Sequence, residues 1–357
     1  MAIGLEASEA GRRATGRRVV LEDGVSAPSA RLAFALHLRH GDMMMPLRHT
    51  VVLPLAIPLL AACAPASEDT PPAETTQVAD AAPMRIASVD GFSTPESVAY
   101  DPEQDVYYVS NINGNPSAAD NNGFISRMRA DGTVDSLRFI LGGRGGVALN
   151  APKGMAIVGD TLWVSDIDAI RGFNKRTGAV VATIDVRGRA KFLNDVAAGP
   201  DGTLYISDTG IEFSASGEMS HPGPDQVLWV VGRTVEPVVQ GERLSGPNGV
   251  TWDAANNRLL IVSYAGSSIM SWRPGEQAAS SVATGPGGWD GVEVLADGRV
   301  LVSSWTDSTV HVLDSTGTVR PLVTGLPSPA DIGFDTRRGR VAVPLFMGNR
   351  VELWEIR

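Results

Sequence analysis

Cysteine is nearly absent: Cys63 stands alone in 357 residues, so no disulfide can form within the chain and no thiolate cluster can hold a metal. Lysine is scarce, and positive charge is in deficit. The net charge is −10, and setting aside residues 1–62, with their seven arginines and five acids, leaves 23 basic against 35 acidic side chains. Such a surface repels phosphate backbones, so no nucleic-acid partner is expected. A phosphate loop is missing as well, since Gly142-Gly143-Arg144-Gly145-Gly146 lacks the Gly-Lys-Ser/Thr ending. Neither a Gly-x-Ser-x-Gly elbow nor a His-Glu-x-x-His pair occurs. Beyond residue 95 no amphipathic helix of useful length can be read. Glycine (39) and proline (23) are plentiful instead, which fits a turn-rich all-β chain.

No apolar run is long enough to span a bilayer as a stable helix. The run Val51 to Ala62 follows a short basic start, Met45-Pro46-Leu47-Arg48-His49, and ends in Leu60-Ala61-Ala62-Cys63. That is the layout of a secretory signal with small residues before the cut. The tetrapeptide resembles a bacterial lipobox, in which Cys63 would be lipidated and become the mature N-terminus. A plain signal peptide with a chance cysteine is the alternative. The expectation is an exported, periplasmic or outer-membrane lipoprotein, held to the membrane only through its lipid. Residues 1–44 read as an over-extended start or a disordered extension, residues 45–62 as the signal, and residues 63–83, rich in Ala, Pro, Thr and acids, as a disordered tether.

From residue 95 a unit recurs: a short apolar strand, a turn, a stronger strand, then more β structure. The copies begin Pro95-Glu96-Ser97-Val98, Pro152-Lys153-Gly154-Met155, Leu193-Asn194-Asp195-Val196, Pro247-Asn248-Gly249-Val250, Trp289-Asp290-Gly291-Val292 and Pro329-Ala330-Asp331-Ile332. Their second residues are spaced by 57, 41, 54, 42 and 40. Propeller blades of four strands need about 40–45 residues, so the two long steps carry insertions. Asp-Gly turns at Asp131-Gly132, Asp201-Gly202 and Asp297-Gly298 agree. The fold expected over residues 84–357 is a six-bladed β-propeller, and a monomer. The last unit supplies three strands, Pro329 to Phe334, Arg340 to Pro344 and Arg350 to Ile356. Met84 to Val89 would close the ring as its fourth.

In a propeller the innermost strands line the channel, so the six second residues form one ring: Glu96, Lys153, Asn194, Asn248, Asp290 and Ala330. Two carboxylates and two amide carbonyls are hard ligands suited to Ca²⁺ or Mg²⁺. A lone Asn or Asp at the start of a strand more often satisfies turn backbone. Four oxygen donors at six equivalent positions favour one divalent cation, Ca²⁺ foremost, with Mg²⁺, Zn²⁺ or Mn²⁺ as alternatives. The long segments Asn111 to Gly123 and Thr209 to Gln226 should emerge on the ring's face, as lids or as plain surface elaboration. Asp166, Asp168, Tyr264, Trp305, Phe346 and Met347 should reach the rim.

The motifs Pro95-Glu96-Ser97, Leu193-Asn194-Asp195-Val196 with Pro200-Asp201-Gly202, Pro247-Asn248-Gly249-Val250-Thr251-Trp252, and Asp290-Gly291 resemble those of the regucalcin and gluconolactonase family. The resemblance implies that Glu96, Asn194, Asn248 and Asp290 hold a catalytic cation and that Asp290 also serves as acid or base. Two positions depart from the family pattern. Phe192 stands where sugar-lactonase members carry a substrate-binding arginine, and Lys153 where the related paraoxonases carry a histidine. The function implied is hydrolysis of a lactone or ester, with Lys153 either stabilising the developing oxyanion or paired inertly to a ring carboxylate. The alternative is a non-catalytic propeller in which Ca²⁺ only rigidifies the channel mouth while the protein binds a ligand or partner.

Overall fold

The computed structural model describes residues 82–356. The segments read above as an extension, an export signal and a tether, with Cys63, lie outside the described residues, which begin at residue 82.

Six four-stranded antiparallel sheets follow one another. Blade one comprises Pro95–Asp101, Val106–Asn111, Phe124–Arg129 and Val134–Leu141. Blades two to five start with Pro152–Val158, Leu193–Ala198, Pro247–Asp253 and Trp289–Val294. Blade six pairs Gly333–Asp335, Arg340–Leu345 and Arg350–Glu355 with the N-terminal strand Met84–Asp90, which runs antiparallel to the last strand from Met84↔Glu355 to Asp90↔Arg350. The fold is thus the six-bladed β-propeller expected from the repeat, its ring closed by a strand from the start of the domain, which covers an otherwise open edge.

There is no single central core. Six apolar clusters lie between neighbouring blades. Successive side chains of a strand point to opposite faces. Tyr107 therefore packs toward blade six, with Val351 and Leu353, and Tyr108 toward blade two, with Leu162 and Val164. Both faces of each inner blade region are covered, which is why strands such as Leu259-Leu260-Ile261-Val262 are apolar without alternation.

The channel is different. In blades one to five the pairing of the innermost strand with its neighbour skips two residues: between Pro95 and Val98, Pro152 and Met155, Leu193 and Val196, Pro247 and Val250, and Trp289 and Val292. Such a bulge releases its residues from the ladder and re-aims their side chains. The ring residues Glu96, Lys153, Asn194, Asn248 and Asp290 are the first of each skipped pair.

Blade six departs from expectation. Its inner strand covers only Gly333–Asp335 and not Pro329 to Phe334. The reason lies in blade one. Pro329 and Ala330 still pair with the neighbouring strand, at Leu345 and Pro344, but the Asp331 amide donates to the Glu96 carbonyl (2.8 Å) and the Asp331 carboxylate accepts from the Ser97 hydroxyl (2.5 Å), so the ladder breaks there and Asp331 bonds across the seam.

Candidate active site at the channel mouth

A recurring serine in the second strand fixes the ring backbone. Ser110, Ser207 and Ser303 accept from the amides of Ser97, Asp195 and Gly291 (2.8–2.9 Å). Ser165, Ser207 and Ser303 donate to the carbonyls of Asn194, Asn248 and Ala330 in the following blade. Each of these hydroxyls satisfies buried backbone that the bulge leaves without a ladder partner. Sequence reading passed over these serines; their signal was the Ser repeated at or near the end of the second strand in blades one to five.

Glycine completes the frame. A Cβ on Gly249 would lie 2.2 Å from the Asp290 carbonyl oxygen, and one on Gly291 2.4 Å from the Ile332 amide. The innermost strands approach too closely for any side chain there. Gly249→Ala should therefore lower stability by about 1–3 kcal/mol, the usual penalty of overpacking, and should displace Asp290. Denaturant unfolding checks this, and an unchanged midpoint would refute it.

The ring side chains Glu96, Lys153, Asn194, Asn248 and Asp290 are all buried and all border one cavity of ≈ 520 Å³. Ala330 is buried and contributes no polar group. Three ring oxygens are buried without a hydrogen-bond partner: Glu96 Oε2, Asn194 Oδ1 and Asp290 Oδ1. For Asn194 the orientation has a cause. Its Nδ2 donates to the Thr209 hydroxyl (3.0 Å), which donates to the Pro247 carbonyl (2.8 Å), so the amide oxygen is the end left free. Asn248 Nδ2 reaches the Trp289 carbonyl at 3.4 Å. Buried polar atoms are rarely orphaned, and three at one mouth are of the kind that could hold a hard cation. Among the described residues no group of three or more His, Cys, Asp and Glu side chains forms a metal cluster, so the ring's two amides are needed to complete any such set.

Burial sets the electrostatics. It pushes Asp290 up to about 8, Asp195 adding to the effect while Trp305 and Asn248 oppose it. Glu96 is raised well above the carboxylate range by burial and then by Asp290, against the pull of Lys153. Lys153 is pushed down by burial. Its ammonium donates to the Ala151 carbonyl (3.2 Å) and lies 4.0 Å from the centre of the Phe192 ring, while Glu96 acts on it through space.

Both long loops border the cavity, through Ile112 and Pro116 from one and Ile211, Phe213 and Met219 from the other. The second folds into a hairpin, Glu212–Phe213 with Met219–Ser220, that was not anticipated. The loops touch across the mouth: Asn115 donates to the Ser214 carbonyl (2.8 Å), and the Phe213 amide donates to the Ser117 hydroxyl (2.9 Å). Of the six rim candidates, Tyr264, Trp305, Phe346 and Met347 line the cavity; Asp166 and Asp168 do not. The Asp166 carboxylate instead accepts from the amides of Asn150 and Ala151 and from Arg171, capping the approach to blade two. His311 is buried edge-on against Trp289, and His221 bonds Asp225 (2.9 Å).

These features define a class: a six-bladed propeller with an unsatisfied polar ring at one end of its channel. Residues 94–332 match the SMP-30/Gluconolactonase/LRE-like region, and the chain belongs to that family. No curated relative matches significantly. Among solved structures, a gluconolactonase from Xanthomonas campestris shares 18% identity over 77% of this chain and 89% of its own, with a TM-score of 0.57. Virginiamycin B lyase from Staphylococcus aureus shares 12% over 77% of this chain and 100% of its own, with a TM-score of 0.54. At these identities the likeness is one of fold.

Proposed function

We propose that the chain is an exported hydrolase of a lactone or ester that depends on one divalent cation, Ca²⁺ foremost. The carrying observation is the convergence of three unpartnered buried oxygens, from Glu96, Asn194 and Asp290, on one cavity. Membership in a gluconolactonase-containing family supports lactone chemistry. Glu96, Asn194, Asn248 and Asp290 would hold the cation, which when bound would supply the charge that polarises a substrate carbonyl.

The remaining work falls to side chains of the chain itself. Asp290 accepts and hands on a proton at the carboxylate oxygen not given to the cation. The Lys153 ammonium and the Trp305 indole N–H, which also acts on Asp290, offer donors to negative charge developing on the carbonyl oxygen. The hairpin and the facing loop limit water above the ring.

A panel of lactones and esters, assayed with purified protein before and after chelation, tests the reading. Turnover lost on chelation and restored by Ca²⁺ is expected; no metal-dependent turnover across the panel would sink it. Export rests on the lipobox. With Cys63→Ser the protein should leave the membrane pellet on cell fractionation, and an unchanged pellet would rule out lipidation at that cysteine.

A further inference from the structure

We propose that the body of the substrate is apolar, an aliphatic or aryl group attached to the lactone or ester, and not a polyol. This rests on the hydrolase reading of the same cavity and deepens it. Polar groups are concentrated on the floor, in the ring. Above it, two aromatic clusters face the space. Phe192 and Phe213 lie 6.0 Å apart between ring centres. Opposite, Tyr264, Trp305 and Phe346 form a ladder across three successive blades, with centres 5.9 and 5.4 Å apart.

The wall carries few polar groups beside its apolar ones, and two of them are already engaged. The Thr209 hydroxyl accepts from Asn194 and donates to Pro247, and Asn349 Oδ1 accepts the Thr94 amide (2.7 Å). A polyol entering here would give up hydrogen bonds to water and find little to replace them. Trp305 borders the cavity together with Asp290, on which its indole N–H acts, on the floor where the carbonyl would sit.

The rim carries the same signature. Met219, Tyr264 and Met347 are 55%, 41% and 71% exposed, yet all three border the cavity. Large apolar side chains held in water around one opening favour an occupant that covers them. A volume of ≈ 520 Å³ leaves room for a chain or an aromatic ring beyond the lactone.

The test is a binding series on Ca²⁺-saturated protein, read by tryptophan fluorescence and followed by turnover. The probes are δ-hexalactone, δ-octalactone, δ-decalactone and δ-dodecalactone, with glucono-δ-lactone as the polyol. Affinity should rise roughly fourfold per methylene until the cavity is filled, and glucono-δ-lactone should bind more weakly than any alkyl member. Phe213→Ser and Met219→Ser, on the exposed hairpin, should flatten the rise, with the melting temperature checking that each variant is folded. A flat series, absence of binding, or tighter binding of glucono-δ-lactone overturns the inference. Chain-length-dependent binding without turnover upholds the inference and overturns the hydrolase reading. Metal-dependent turnover with a flat series does the reverse.

Discussion

In Asp290→Asn, turnover of any lactone or ester hydrolysed by the wild type should fall by roughly 10²- to 10⁴-fold at saturating Ca²⁺, the usual worth of a positioned acid or base. The substitution keeps the shape and one oxygen and removes the charge and the proton site. Asp290 is singled out because it and Glu96 are the ring's only carboxylates, and Asn194 and Asn248 cannot carry a proton. Its Oδ1 is free, while its backbone is held independently through Gly249 and through the Ser303 hydroxyl on Gly291. Folding should therefore survive. Metal-free protein at pH 8 should melt no lower than the wild type, since one buried acid that burial disfavours in its charged form is gone. Steady-state kinetics and melting curves on the same preparation check both halves. A variant that binds Ca²⁺ and turns over at the parent rate removes Asp290 from the chemistry.

The ring was legible in the sequence because the repeat places Glu96, Lys153, Asn194, Asn248 and Asp290 in equivalent positions, and the fold brings all five to one cavity. Equivalence under a repeat is a strong geometric statement, since each blade solves the same packing problem. Closure by Met84–Asp90 was legible for a related reason: a three-stranded last blade leaves an edge that something must cover. What escaped depended on contacts between blades. The shortened inner strand of blade six follows from Asp331 bonding to Glu96 and Ser97, residues more than 230 positions away. Asp166 looked like a rim acid because the end of a second strand lies near the mouth, and only the amides of Asn150 and Ala151 reveal where its carboxylate goes. The hairpin over the cavity has two-residue strands in a segment dense in Gly, Ser and Pro, where no alternation can be read.

Removing the cation should lower the melting temperature, and by more at pH 8 than at pH 5. Binding to the native state alone contributes about 2.7 kcal/mol at a hundredfold excess over the dissociation constant, roughly 5 °C for a domain of this size. The pH dependence follows from the channel carboxylates. Without metal, burial raises Glu96, raises Asp290 to about 8 and Asp195 to about 7, and raises Asp331 and Glu293 as well. An acid raised in the fold gives its stabilisation in full below its unfolded pKa, about 4, and loses it as pH climbs through the folded value. Metal-free protein therefore weakens between about pH 4 and pH 8. A cation held by Glu96 and Asp290 would need both ionised, so its affinity should grow across the same window. Lys153, pushed down by burial, acts in the opposite sense mainly above about pH 8, which is why the comparison stops there. Chelated and dialysed protein, melted with and without added Ca²⁺, should show a small gap at pH 5 and one of roughly 5 °C or more at pH 8. Equal gaps at both values would detach the cation from these two carboxylates. No gap at either, in protein that carries no metal as purified, would remove the site.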